Sequence, residues 1–578
     1  MTLPRSPFAA LALPLALGLT AVPAPLAQTA RTPTSFAGGR ARDLIGMDVE
    51  ESRVALVWCN PRLVNAVVSD DCGATFGPVT RVDPGPLADK SGATLDGRGV
   101  HLHGDRIYAT WLDSRGGSIV SPELYFGRSV DGGASWSEIE IESDVSGGAV
   151  FRRVRDTLDP TNDTLHLLFA TRLAPFSSSA DLHLHTSTDG GDSFGSPIFV
   201  APSGGSGAAD LWGHDMQVTG STISVAWAEN DAGTHSVRFR ASTDGGATFA
   251  PVKTLDTGGF LTFGSPRIAR EGDTIVVTWL RTDGANGALL YASFSIDGGF
   301  SFGAPTIVGE YAAPNSDIRE AVPLVANGAI SVLWSENRSG VLGPFELYHS
   351  KSTDGGQTFS ETRIGAGIAA STIRVAQRGS RVAATWSEYI QFDDTYSMIS
   401  DDGGLTWSSP IRVSSLAAAT ARSTIAFGEG DDVQVAWRAT GTSFSVGEVY
   451  SGGYRTTAAA SELRTAGANV PTYAAAPPVL GQAWTATVDV GSTGHAFGVI
   501  RLQSAPAMIP RPNGEFLLTS GVRVFESALL PGPIAQFQTT LPNELCLSGR
   551  ALFSQAAHVG GGPAPALTNA RDLTVGTF

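Results

Sequence analysis

Arg267, Arg319 and Arg374 each precede a strand-ending tryptophan (Trp279, Trp334 and Trp386) by about the length of one hairpin, while Glu336 and Glu388 stand just beyond two of those tryptophans, with Tyr389 next to the second. Gathered in one place, such side chains make a polar mouth able to grip a sugar, and a local arginine cluster can bind one carboxylate. The same residues also read as Arg–acid pairs that pin loops, because the charges recur at equal offsets. Asp113, Glu229, Glu336 and Glu388 all sit two positions past an aromatic. Other chemistry is missing from the sequence: there is no nucleophile elbow, phosphate loop, HExxH or paired CxxC. His101/His103 and His183/His185 are spaced as same-face strand neighbours, which could begin a zinc site, but no third ligand is close in sequence, so neither a metal nor a cofactor is expected.

The residues that would carry this chemistry are set out by a double periodicity. Alternating apolar runs end in an aromatic at Trp58, Trp111, Phe169, Trp227, Trp279, Trp334, Trp386 and Trp437, at nearly even spacing along the chain. Runs such as Ile275-Val276-Val277-Thr278-Trp279 have the period of two and the β-branched content of strands. A turn of pattern Ser-x-Asp-x-Gly-x-x-aromatic follows at Ser69, Ser129, Ser187, Ser242, Ser295, Ser352 and Ser400. Its Asp can accept backbone N–H groups just ahead of it, and its Gly supplies a conformation open mainly to Gly. A repeat of roughly 50 residues signals a propeller, solenoid or array. The inner strand of each unit should lie just upstream of its marker strand. Together the inner strands carry Arg152, Arg153, Asp210, His214, Asp215, Arg267, Asp317, Arg319, Glu320, Arg374 and Arg422 towards a central channel.

The turn resembles the Asp-box, or BNR, repeat of sialidase-like β-propellers, and seven copies at blade spacing make that resemblance specific for fold. It implies an all-β chain: an Asp-box propeller over residues 31–455, of eight blades by the marker count or seven if both chain ends share one. In that family the box lies on the outer edge of each blade, so its Asp residues read as structural. The resemblance also implies how a sialidase would work here, with three Arg clamping the substrate carboxylate, a Tyr–Glu pair as nucleophile and an Asp as acid/base. On this chain the clamp would be Arg267, Arg319 and Arg374, with Glu336 or Glu388 as acidic partner and Tyr389 as the phenol. The chain departs from the family pattern in lacking the Phe/Tyr-Arg-Ile-Pro string before the first box; the nearest string, Ser265-Pro266-Arg267-Ile268-Ala269, comes four boxes late. Family sialidases also have six blades.

Composition agrees with short strands and tight turns: 578 residues with 68 Gly, 33 Pro and 16% charged side chains. The formal charge of −16 and the lack of a basic stripe exclude nucleic acid as the expected partner. Residues 1–30 read as a secretory leader, with Arg5, the apolar run Phe8 to Thr20, and small residues from Ala21 to Ala30. This places the mature chain outside the cell or in the periplasm, with no membrane insertion after cleavage. Three cysteines, Cys59, Cys72 and Cys546, suggest no disulfide framework. Residues 456–480 read as a linker. Residues 481–578, with alternating runs such as Trp484 to Val490, resemble C-terminal β-sandwich modules of secreted bacterial proteins.

Three functions follow from these readings: a secreted propeller that binds glycan or another extracellular ligand at the channel mouth; a glycoside hydrolase, either a divergent exo-α-sialidase or a relative; and a structural surface or adhesion protein. A carbohydrate is the expected ligand under the first two.

Overall fold

The computed structural model describes residues 34–36, 43–87, 90–92, 99–115, 123–142, 151–172, 180–201, 210–231, 233–258, 266–282, 288–309, 317–338, 345–364, 373–389, 393–408, 410–414, 419–428, 432–440, 448–454, 460–464, 469–479, 482–503, 506–511, 514–518, 523–540, 551–561 and 565–575. The leader expected over 1–30 and Cys546 lie outside them. The described chain is all-β apart from one short 3-10 turn at Gly491–Thr493. None of its helices is long and apolar enough to cross a membrane.

Eight antiparallel sheets of four or five strands occupy the repeat region. The third runs Phe151–Asp159, Thr164–Arg172, Ala180–Ser187 and Ile198–Ala201, each strand paired to the next in sequence. The others follow the same plan, with inner strands Asp43–Glu50, Val100–His103, Asp210–Thr219, Arg267–Glu271, Asp317–Ala326, Arg374–Arg378 and Ala419–Phe427. The eighth differs at its outer edge, where Thr34–Ser35 from the other end of the chain pairs with Glu448–Tyr454.

Every marker aromatic falls on the second strand of its sheet and is at most 2% exposed. Burying a ring of this size is worth roughly 4–6 kcal/mol as an upper bound, which is why the marker recurs. Each aromatic packs against the sheet before it. Trp227 joins Leu168, Leu182 and Leu184 of the third sheet, and Trp334 joins Val276, Leu290 and Ala292 of the fifth. Trp58 of the first sheet packs with Ala426, Ala436 and Val449 of the eighth, so the circuit of cores returns to its start.

The seven turns are built alike. In the second sheet, the Ser129 hydroxyl donates to Asp131 Oδ1 at 2.9 Å and accepts the Gly133 N–H at 2.8 Å. Asp131 Oδ1 also accepts the Ser135 N–H at 2.8 Å, and Oδ2 accepts the Ser135 hydroxyl at 2.5 Å. These hydrogen bonds, that from the Ser135 hydroxyl foremost, hold the Asp131 carboxyl down to about 2. The hydroxyl at the seventh position is a requirement that the sequence pattern left as "any residue": Thr75, Ser135, Ser193, Thr248, Ser301, Thr358 and Thr406 occupy it. The fourth position has positive φ in every copy. It is Gly in six and Cys72, at φ 57°, in the first.

Two strands fall inside the stretch expected as a linker. Ala460–Arg464 pairs with Ala566–Thr574, and Tyr473–Ala475 pairs with Ala483–Asp489. Few residues there alternate cleanly, and one of the pairing partners lies near the far end of the chain, so local pattern could not reveal them. Beyond them, Trp484, Ala486 and Val488 of a three-stranded sheet share one core with Ile500, Leu502 and Ala556 of a six-stranded sheet.

Candidate functional site

Strand register decides which inner-strand side chains meet. The residue paired with the position just before each marker is Gly46 in the first sheet, Arg155 in the third, Asp215 in the fourth, Arg267 in the fifth, Val322 in the sixth, Arg374 in the seventh and Thr424 in the eighth. Directly opposed residues share a sheet face, so this tier faces away from its own marker and towards the following sheet. Five of its members, Arg155, Asp215, Arg267, Val322 and Arg374, line one cavity of about 410 Å³ among the inner strands of the third to seventh sheets. Asp156, Thr157, Gln217, Arg270, Glu271 and Gln377 continue the lining towards the inner hairpins.

The cationic side of the cavity is braced rather than loose. Arg155 Nε lies 2.9 Å from Asp215 Oδ1, with both side chains about nine-tenths buried. Asp215 Oδ2 accepts the Ile268 N–H at 3.1 Å, so one carboxylate ties the third, fourth and fifth sheets and holds the backbone next to Arg267. The Arg374 guanidinium donates to the Ile373 carbonyl at 2.9 Å. Burial lowers the Arg155 guanidinium to about 10; Asp215 opposes that shift, while the nearby charges of Arg267 and Arg374 add to it. Arg155 therefore stays charged at neutral pH. On its other side, Asp156 accepts the Thr110 hydroxyl at 2.7 Å, and His101 Nε2 is 3.7 Å from its second oxygen. The arrangement suits recognition of an anionic group by several fixed guanidinium charges in a partly desolvated channel. It also places one carboxylate, Asp156, beside an imidazole at the cavity wall.

The expected site residues divide. Arg267 and Arg374 line the cavity. Arg319 is paired with Ser335 across a bulge that separates it from Ala321, three positions along the strand from Val322 of the tier; its side chain, like those of Glu388 and Tyr389, lies outside the described residues. Glu336 is elsewhere. It accepts the Trp334 indole N–H at 3.1 Å and pairs with Arg338 at 3.0 Å, which in turn pairs with Glu361 at 2.6 Å and stacks 3.8 Å over the Tyr348 ring. Burial raises its carboxyl pKa. The second sheet repeats this tie with Asp113, Arg115 and Glu138, and Arg115 lies 4.0 Å over Tyr125. In the fourth sheet Glu229 likewise accepts from Trp227 at 2.9 Å. In these three sheets the acid two positions past the marker clamps strands together, the role that equal offsets implied.

Counting from the markers missed Arg155. It stands farther ahead of Phe169 than Arg267 does of Trp279 or Arg374 of Trp386, and those two share one offset. The third sheet's inner hairpin turns through positions 160–163, while the fifth turns through 272–273 alone. The turn string Asp159-Pro160-Thr161-Asn162-Asp163 was the signal that could have corrected the count. Among the described residues no group of three His, Cys, Asp or Glu is placed to hold a metal ion.

No family model matches the chain, and no curated protein does. Among solved structures it is similar to the polysaccharide lyase Uly1, at 10% identity and a TM-score of 0.45, covering 75% of this chain and 100% of that one. It is also similar to the Hadza microbial sialidase Hz136, at 14% identity and 0.35, covering 58% and 73%. A third is the Penicillium chrysogenum α-L-arabinanase complexed with arabinobiose, at 14% identity and 0.32, covering 55% and 93%.

Proposed function

We propose that this is a secreted, sialidase-like Asp-box propeller of eight blades, with Thr34–Ser35 completing the last, that binds an acidic glycan or another anionic extracellular ligand in its channel. The propeller would span residues 31–455 after a leader over 1–30, and a C-terminal β-sandwich module would follow. The observation that carries the binding reading is the shared register of Arg155, Arg267 and Arg374, which aims three guanidinium groups at one cavity of about 410 Å³. A cavity of that size accommodates one or two sugar rings.

The test is titration of the purified mature protein with acidic and neutral oligosaccharides. Binding of acidic ligands should weaken about tenfold or more in Arg267→Ala and Arg374→Ala, because a charge-assisted hydrogen bond contributes about 1.5–3 kcal/mol. Equal binding by wild type and both variants, or no preference for acidic over neutral ligands, would discard the reading. Catalysis is tested separately with fluorogenic sialosides, for which little or no turnover is expected. Robust release abolished by Arg319→Ala would instead establish the hydrolase alternative.

A further inference from the structure

Most sheet edges of the molecule are guarded. The outer strands of the eight repeat sheets are either two to four residues long or, at Ser137–Glu142 and Lys253–Gly258, carry Glu138, Glu140 and Glu142 or Lys253 and Asp256. Short strands and charges of this kind keep one edge from pairing with another. The three-stranded sheet of the C-terminal region ends differently. Its strands lie in the order Tyr473–Ala475, Ala483–Asp489, Ile534–Thr540. The last, Ile534-Ala535-Gln536-Phe537-Gln538-Thr539-Thr540, has no charged side chain and no proline. Among the described residues no strand pairs with its far side, and every other described edge strand of more than four residues carries a charge.

Register fixes which groups that far side presents. The Pro533 carbonyl accepts the Gly491 N–H at 2.8 Å, on the side of the middle strand. In the middle strand the Thr485 carbonyl accepts the Ala476 N–H and the Asp489 N–H donates to the Thr472 carbonyl, both at 2.9 Å and both away from Ile534–Thr540. Trp484, Ala486 and Val488 therefore bond towards their partners Thr539, Phe537 and Ala535. Backbone groups alternate sides along a strand, so the N–H and C=O groups of Ile534, Gln536, Gln538 and Thr540 point out of the sheet. All four residues are exposed, Ile534 at 57%. We propose that this edge is a dimer interface, in which two copies of the chain pair antiparallel about Phe537 and join their three-stranded sheets into one. Gln536 then stands opposite the partner's Gln538, and Ile534 opposite the partner's Thr540. Each outward N–H and C=O meets its complement, about eight hydrogen bonds in all, and the glutamine amides pair on the outer face. The occupant is a second copy because the outward residues lie at equal distances on either side of Phe537, the self-complementarity that a two-fold contact requires. The chain carries −16 overall, and an uncharged line of contact lets such copies meet without facing like charges. A strand pair covers less than a standard interface, so the dimer is weak, of micromolar order.

The experiment is sedimentation velocity of the purified mature protein from about 1 to 200 µM at near-physiological salt, where long-range repulsion is screened. Wild type should pass from monomer to dimer across that range. Gln536→Lys combined with Gln538→Lys sets cation against cation at both glutamine positions and should weaken dimerisation at least tenfold, even though it lowers the net negative charge. Gln536→Glu combined with Gln538→Lys leaves the net charge unchanged and sets opposite charges face to face, whereas a register slipped by two residues would set like against like. It should dimerise at least as tightly as wild type. Both side chains are exposed, and melting temperatures identify any variant that has lost its fold. Gln538→Pro, which removes an outward N–H and no bond within the sheet, should also weaken the dimer tenfold and decides the question if a charge variant fails to fold. A wild type that stays monomeric throughout the range, or a dimer equally tight in the folded Lys–Lys or Pro variant, overturns the interface. A Glu–Lys variant as weak as the Lys–Lys variant overturns the pairing about Phe537.

Discussion

Ser129→Ala isolates the repeated Ser-x-Asp-x-Gly turn as a fold element. Ser129 is 1% exposed, and its hydroxyl accepts the buried Gly133 N–H at 2.8 Å while donating to Asp131 at 2.9 Å. Alanine leaves that N–H without an acceptor inside the turn. Asp131 keeps its bonds from Ser135, so the loop is not released to repair the loss. Stranding one buried donor costs about 1–3 kcal/mol. Unfolding entropy near 2.1 cal/mol/K per residue, over roughly 420 ring residues, sums to about 0.9 kcal/mol/K, so the midpoint should fall by about 1–3 °C if the ring unfolds as one unit. Ser137→Ala is the control: its exposed hydroxyl makes one long bond to the Arg128 carbonyl at 3.3 Å, and its loss should stay within about 0.5 kcal/mol. Circular dichroism melts and urea titrations of both variants measure the difference. An unchanged midpoint for Ser129→Ala, or lost ligand binding with stability intact, would refute the structural role of the turn.

Acid should destabilise the protein in two windows. Burial holds His166 and His349 down at about 4, below the ordinary imidazole value of 6.5, so the neutral folded state loses stability as pH falls from about 6.5 to 4; the carboxyls of Asp131, Asp189, Asp244 and Asp297, held at about 2 by turn hydrogen bonds, add a further loss between about 4 and 2. Urea midpoints measured from pH 8 to pH 2 should fall in both intervals, and a flat profile would contradict the assignment. Gly356→Ala should cost well over 1 kcal/mol, because its φ is 86° and a Cβ would sit 2.5 Å from the Phe294 ring, whereas Gly355→Ala, with open space around it, should carry only the strain of its φ of 74°. Phe36→Ala should lower stability by about 3–5 kcal/mol, because Phe36 packs on Trp58 and Phe76 beside the terminal strand that completes the eighth sheet. Equal melting temperatures for that variant and wild type would show that the N-terminal segment does not secure the circuit.

The sequence alone specified whatever is local. Alternation ending in an aromatic marked the second strand of all eight sheets, because a period of two places a side chain in the core without reference to distant residues. The Ser-x-Asp-x-Gly repeat could be read as a turn because its Ser, Asp and Gly satisfy one another within a single short stretch. The sequence also identified Arg267 and Arg374 as inner-strand residues, by simple distance from a marker. What only the tertiary structure decided is register. A longer turn in one hairpin put Arg155 into the tier, whereas counting from the marker had picked Arg152 and Arg153, and bulges in the third, fourth and sixth inner strands shifted their upper halves. Which donors a given carboxylate meets was likewise invisible, since Glu336 and Asp215 are both carboxylates on β-strands and differ only in what the next strand or sheet brings to them, an indole N–H and Arg338 for one, Arg155 and the Ile268 N–H for the other. Strand identity follows from short-range pattern, whereas the meeting of charges from four sheets depends on how much chain each hairpin spends in turning, and that quantity acts only once the sheets are packed side by side.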